Sequence, residues 1–254
     1  TPKLGRIGWK QGTRLDRYIN QVMRAAHSAG YQSGGRNSSY TGKRMGRGNA
    51  FGTLAAAGFY PGGQRRAIVK ARISKLKAGD LGAARAHLRY IQRDGVTPEG
   101  EPGQLYGPET DEANGTTFLD NCEGDRHQFR LIVSPDDGAE LADLKPFIRD
   151  FMAKVESDLE TKLDWVAVDH YNTGHPHTHI IIRGKDDMGQ DLIITKDYVS
   201  HGLRMRAREL LTMELGPEEE GSMVFKLARE VDADRFTRLD RALLNHTDGG
   251  FLVV

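Results

Sequence analysis

Four of the chain's nine histidines fall within ten positions: His170, His175, His177 and His179, in the stretch HYNTGHPHTHIIIRG from 170 to 184. Successive side chains of a strand alternate between its faces, so His175, His177 and His179 share one parity. Pro176 has no N–H to give to a ladder, which sets the strand start at or just after it. The expected strand is His177 to Arg183, with His177 and His179 on one face. Two imidazoles there, with a third brought alongside from an adjacent strand, make a site for a divalent ion that leaves positions open for substrate oxygens. The third is expected to be His170. Leu163 to Tyr171 reads as a strand, and the turn NTGHP folds it back as an antiparallel hairpin that brings His170 across from the pair. His175 is left at the rim.

A second chemistry-bearing side chain lies upstream, where Asp80 can cap a helix running through LGAARAHLRYIQRDG and stopping at Gly95. Leu81, Ala84, Leu88 and Ile91 form its apolar stripe. Tyr90 sits near its end beside Arg89, Arg93 and Asp94, with His87 one turn away and able to orient it. Before this helix, Arg65 to Lys77 reads as a strand with basic exposed positions, Arg65, Arg66, Lys70 and Arg72 among them. Residues 96–124, rich in Gly, Pro and acids, read as a long functional or mobile loop. A strand His127 to Ser134 and an amphipathic helix from Ala139 to Thr161 follow, the helix marked by Leu141, Leu144, Ile148, Phe151, Met152, Val155 and Leu159. After the histidine strand come the turn KDDMGQ, a short strand Asp191 to Ile194, and a helix Lys196 to Leu215 presenting Arg204, Arg206 and Arg208. This order predicts an α+β domain over 65–215: an antiparallel sheet with helices mainly on one face.

The net charge of +1 over 254 residues conceals an imbalance. Residues 1–77 hold 16 Lys or Arg against the single acid Asp16, whereas the rest hold 20 basic and 34 acidic residues. Such asymmetry points to a polyanionic partner for the basic part. Residues 1–64 form a Gly- and Arg-rich arm, expected to be extended or disordered apart from a short helix near Leu15 to Ala26. Its tyrosines at 18, 31, 40 and 60 and its Phe51 and Phe59 suit a segment lying along nucleic acid, aromatics stacking and cations meeting phosphates. Residues 216–254 read as a charged extension with one or two helices in 217–245. The single cysteine, Cys122, excludes an internal disulfide and fits a reducing compartment. No apolar run approaches the roughly 18 residues that span a bilayer, and no signal-peptide core opens the sequence, so no membrane insertion is expected.

Other metal families use a His-x-His pair, but their next ligands are missing: the metallo-β-lactamase Asp position holds Ile181, and the cupin Glu position holds Arg183. HYNTGHPHTHIII instead resembles the third motif of conjugative relaxases, the nicking enzymes of the HUH endonuclease superfamily, in the branch containing the T-DNA border nuclease. RYIQRDG resembles that family's tyrosine motif, and RLIVSP its strand ending in Val-Ser. The likeness covers roughly 66–215, although the family's tyrosine usually lies within the first few tens of residues. It implies metal ligation by His170, His177 and His179, with His175 as an extra histidine. It also implies Tyr90 as a nucleophile forming a 5′-phosphotyrosyl link to single-stranded origin-of-transfer DNA. Because a phenol ionises near pH 10, the tyrosine needs help from the metal, from Arg89 or Arg93, or from a base such as His87, Asp169 or His127. The implied setting is the bacterial cytoplasm, with Mg²⁺ or Mn²⁺ in function, relaxosome accessory proteins and a type IV secretion coupling protein. Zn²⁺, Co²⁺ and Ni²⁺ also suit three imidazoles. Two other readings stay open from the residues: a replication initiator or single-strand transposase of the same superfamily, and a non-catalytic nucleic-acid-binding protein with a structural metal.

Overall fold

A computed structural model of the chain describes residues 46–57, 64–77 and 80–219, with 221, 228 and 231 beyond them. The expected helix at Leu15 to Ala26 and nearly all of the expected C-terminal helices lie outside the described residues. Four strands, β1 (Ala67–Lys75), β2 (His127–Pro135), β3 (Trp165–His170) and β4 (His177–Arg183), form one antiparallel sheet in the order β1-β2-β4-β3. β4 starts and ends where alternation and Pro176 place it.

Register sorts the side chains into two faces. His170 pairs with His177, Val168 with His179, Ile132 with His179 across the other edge of β4, and Lys70 with Ile132. With period 2, the histidine face therefore carries His170, His177, His179, Val166, Val168, Ile181, Arg130, Ile132, Lys70 and Arg72. The back face carries Trp165, Ala167, Asp169, Thr178, Ile180, Ile182, Leu131, Val133 and Val69. In β1, Ala67 and Val69 are buried while Ile68, Lys70 and Arg72 are exposed, so the helix against this strand lies on the back face.

Among the described residues, five continuous α-helices complete the α+β fold. α1 (Asn49–Ala56) packs against the segment around Tyr198. α4 (Leu144–Leu159) and α5 (Leu203–Leu215) pack on each other over the back face. Asp143 caps α4 by accepting from the Lys145 N–H, and the helix buries Phe147, Ile148, Phe151, Met152, Val155 and Leu159. α2 (Gly82–Ile91) and α3 (Gly115–Asn121) cover the β3–β4 part of the histidine face. There Ala84, Leu88, Ile91, Phe118, Leu119 and Cys122 meet Val166, Val168 and Ile181. Each large apolar side chain buried there contributes about 1.5–3 kcal/mol. Toward β1 the same face leaves Ile68, Lys70 and Arg72 exposed.

Several local expectations change. The stretch 96–124 is built in: Asn114 caps α3 through the N–H groups of Thr116 and Thr117, and Tyr106 exchanges backbone hydrogen bonds with Ala167 along the outer edge of β3. Asp191 to Ile194 is not a strand and makes only isolated bridges, Asp191 to Lys185 and Ile194 to Arg47. The helix expected from Ala139 is a short 3-10 turn, Gly138–Glu140, before α4, whereas the one expected over Lys196 to Leu215 is helical from Lys196 and carries a π turn, Tyr198–Gly202, before α5. The end of the arm is helical rather than extended. Gly52 there sits where an added Cβ would meet the Tyr198 backbone nitrogen at 2.5 Å, so only glycine permits this approach.

Candidate metal centre

The β3–β4 hairpin builds the cluster from its last and first residues. His170 ends β3 opposite His177, which opens β4, and His179 lies two residues on along the same face. One ring nitrogen from each of the three lies within 4.8 Å of the others. Ring centroids are 5.3 Å apart for His170 and His177, 4.5 Å for His170 and His179, and 5.2 Å for His177 and His179.

Partners outside the cluster fix which nitrogens point inward. His170 Nε2 is 2.7 Å from the Ile91 carbonyl oxygen. A carbonyl only accepts, so Nε2 carries the proton, and Nδ1 is left buried with no hydrogen-bond partner. An unsatisfied buried acceptor costs about 1–3 kcal/mol, a cost that a cation relieves. His177 Nδ1 is 3.1 Å from the His175 carbonyl, which leaves its Nε2 as the free lone pair. Each arrangement is the outer support that a metal-binding histidine needs. Burial lowers the pKa of His170, with Arg93 and His177 adding to it against the Ile91 hydrogen bond. His179 is pushed down to about 3, by burial first and then by His170, His177, His87 and Arg93. The neutral imidazole is the ligating form, and His170, His177 and His179 could hold a divalent ion.

Tyr90 is bound into this geometry through the backbone. It directly precedes Ile91, whose carbonyl holds His170, and the residue is 56% exposed. The His87 ring stacks on it at 6.4 Å between centroids, and the Arg93 guanidinium lies 4.6 Å from its centroid. Arg93 Nη1 also donates to the Tyr90 carbonyl at 3.2 Å. His87 is pushed down to about 4, by burial first and then by Arg130 and Arg72, which places those two arginines in its field.

Other expected site residues lie elsewhere. Asp169 points to the back face, 8% exposed, and its Oδ1 accepts from the Tyr106 hydroxyl at 2.8 Å and Thr178 Oγ1 at 2.6 Å. Burial pushes its pKa up to about 6 in spite of those two hydrogen bonds. His127 is at the far end of β2, where its Nε2 meets the Leu192 carbonyl at 3.0 Å and its ring stands edge-on to Phe129. His175 is exposed and contributes its carbonyl to His177. Arg65 is a structural tie: it donates to the Gly216 and Leu215 carbonyls at the end of α5 and pairs with Asp137 and Glu140. Arg66 pairs with Asp136 at 3.3 Å. Arg206 is buried between Asp158 and Glu209, and Arg208 donates to the Arg65 carbonyl. Arg204 is exposed, but on the helix covering the back face. Lys70 and Arg72 are exposed on the histidine face, and Arg89 is exposed at the end of α2 beside Tyr90.

Sequence reasoning missed Arg130. The alternation of HQFRLIVS puts it opposite in face to Phe129, but only the pairing of β2 with β4 shows that this is the face of the histidines. Comparison with protein-family models, with curated proteins and with solved structures finds no match to this chain.

Proposed function

We propose that the protein is a metal-dependent, strand-specific nuclease and strand transferase for single-stranded DNA, acting through Tyr90 to initiate mobilisation of a plasmid or integrative element. The observation that carries this reading is the join between cluster and tyrosine. Three inward-facing imidazoles lie on one hairpin, and the carbonyl that orients the most buried of them belongs to the residue after an exposed tyrosine.

In this reading the Tyr90 oxygen attacks the scissile phosphorus in line. The P–O bond to the 3′ oxygen breaks, giving a free 3′-hydroxyl and a 5′-phosphotyrosyl link that keeps the bond energy for rejoining. His170, His177 and His179 would hold Mg²⁺ or Mn²⁺, or a more tightly bound Zn²⁺, Co²⁺ or Ni²⁺. When bound, the ion supplies positive charge to the non-bridging phosphate oxygens. The chain's own groups prepare the nucleophile. Arg93, 4.6 Å from the ring centroid and bonded to the Tyr90 carbonyl, holds the ring in place. His87, with a pKa near 4, is a poor acceptor for a phenolic proton, so its part is to hold the ring. The open part of the histidine face, with Lys70 and Arg72 exposed on it, offers a path for the strand. The partners in this reading are origin-of-transfer DNA, relaxosome accessory proteins and a type IV secretion coupling protein, in the bacterial cytoplasm. Among the described residues no helix is long and apolar enough to cross a membrane.

The test is incubation with Mn²⁺ and a randomised pool of single-stranded DNA, followed by denaturing electrophoresis. Label that stays with the protein when placed 3′ of the cut supports the reading. A cluster that binds metal but yields no covalent DNA would overturn it in favour of a structural metal.

A further inference from the structure

Arg72 of β1 and Arg130 of β2 are directly opposed in the register, on the histidine face. Like charges in facing positions destabilise a sheet, so the pair needs a compensating group. Among the described residues neither arginine has an ion pair with an acid. Arg130 is half-buried, and burial together with the charge of Arg72 lowers its pKa. Its guanidinium is nonetheless oriented. The fully buried Gln128, with its amide oxygen turned toward Arg130, accepts from Nε at 2.8 Å and from Nη2 at 2.6 Å. That leaves Nη1 and the charge of Arg130 unmatched, beside the exposed Arg72.

The pair lies close to the metal centre. Arg130 faces Ile181, two residues along β4 from His179, and such diagonal neighbours in a sheet are about 7–8 Å apart. The flanking positions on the same face are Lys70, Ser74, the exposed Ile68 and the half-buried Ile132. These suit a sugar-phosphate backbone and its bases.

We infer that Arg72 and Arg130 form a seat for a backbone phosphate of the bound DNA strand, next along the chain from the phosphate at the histidines. This rests on the DNA-nicking reading and adds the residues that set the strand's register on the sheet. Gln128 is a positioning residue acting through Arg130. Two guanidiniums at facing positions of one sheet face can each meet a free oxygen of a phosphodiester, and occupancy cancels the repulsion that the empty pair carries.

The experiment measures binding without cleavage. Fluorescent twelve-nucleotide oligothymidylate is titrated by anisotropy in chelator at several salt concentrations against wild type, Arg72→Gln, Arg130→Gln and Lys154→Gln. The last removes one charge from α4 on the back face. Each arginine variant is expected to bind about tenfold more weakly, with a log K against log salt slope shallower by about 0.7 per lost phosphate contact. Lys154→Gln is expected to stay within twofold of wild type. In phosphate-free, low-salt buffer Arg72→Gln is expected to melt above wild type, because it relieves the facing charges. Arginine variants that bind like Lys154→Gln would overturn the seat. Weakened binding by both arginine variants in a protein that forms no covalent DNA would keep the seat and remove the nuclease reading.

Discussion

Arg206→Ala tests whether Arg206 is a structural arginine rather than a DNA contact. In the wild type Arg206 Nε and Nη2 meet Asp158 at 2.8 and 2.6 Å, Nη1 meets Glu209 at 2.6 Å, and the guanidinium lies 3.8 Å from the Phe51 centroid. The side chains of Arg206, Asp158 and Glu209 are 7%, 7% and 5% exposed. Burial alone would disfavour the Arg206 charge, but Asp158 and Glu209 more than offset it and raise the pKa above the ordinary arginine value. Removing the cation leaves two buried carboxylates facing each other, with the Tyr198 hydroxyl still donating to Asp158. Taking one partner from a buried pair costs about 3–5 kcal/mol. At roughly 2–4 °C per kcal/mol for a domain of this size, the melting temperature should fall by about 6–20 °C. Arg204→Ala, at an exposed position on the same helix, should stay within about 0.5 kcal/mol. Urea unfolding of both variants, with oligothymidylate affinity measured on the folded protein, makes the comparison. A loss below about 1 kcal/mol for Arg206→Ala, with DNA binding falling instead, would refute the structural assignment.

Three further outcomes are expected. Replacing His177 and His179 together with Ala should abolish divalent-metal binding by titration calorimetry, and an unchanged stoichiometry would contradict the ligand set. Folded His87 stays neutral to about pH 4, whereas an unfolded histidine protonates near pH 6.5. As pH falls through that window the unfolded state takes up protons first, so the His87 contribution, fully present above about 6.5, is lost by about 4. In chelator, the melting temperature of His87→Gln should decline less than that of wild type over this range; parallel curves would contradict it. Deleting residues 1–44 should flatten the salt dependence of DNA binding. Deleting 1–64 should also lower the melting temperature, because Arg47 holds the Leu159 and Glu160 carbonyls and pairs with Asp186. Equal melting temperatures for the two truncations would contradict this.

The histidine hairpin was legible because its signals are local. Pro176 fixes the start of β4, alternation fixes its face, and a short turn fixes its partner. The buried face of α2 was legible for the same reason, from Ala84, Leu88 and Ile91 at helical spacing. What the sequence hid depends on distant partners. Arg206 has the look of a surface arginine until Asp158 of α4 is brought against it. Asn49–Ala56 lies in a Gly-rich run whose small residues are there for close packing against Tyr198, which composition cannot distinguish from flexibility. The tie between Ile91 and His170 uses a backbone carbonyl, which no residue type announces. Arg130 needed the strand order before its face had meaning.

The most direct test of the account is to map the covalent site. Wild-type protein is incubated with Mn²⁺ and randomised single-stranded DNA, denatured, digested with nuclease and trypsin, and analysed by mass spectrometry. The account predicts a nucleotide remnant on Tyr90 and no adduct in Tyr90→Phe. An adduct on another residue, or one that survives in Tyr90→Phe, would contradict it.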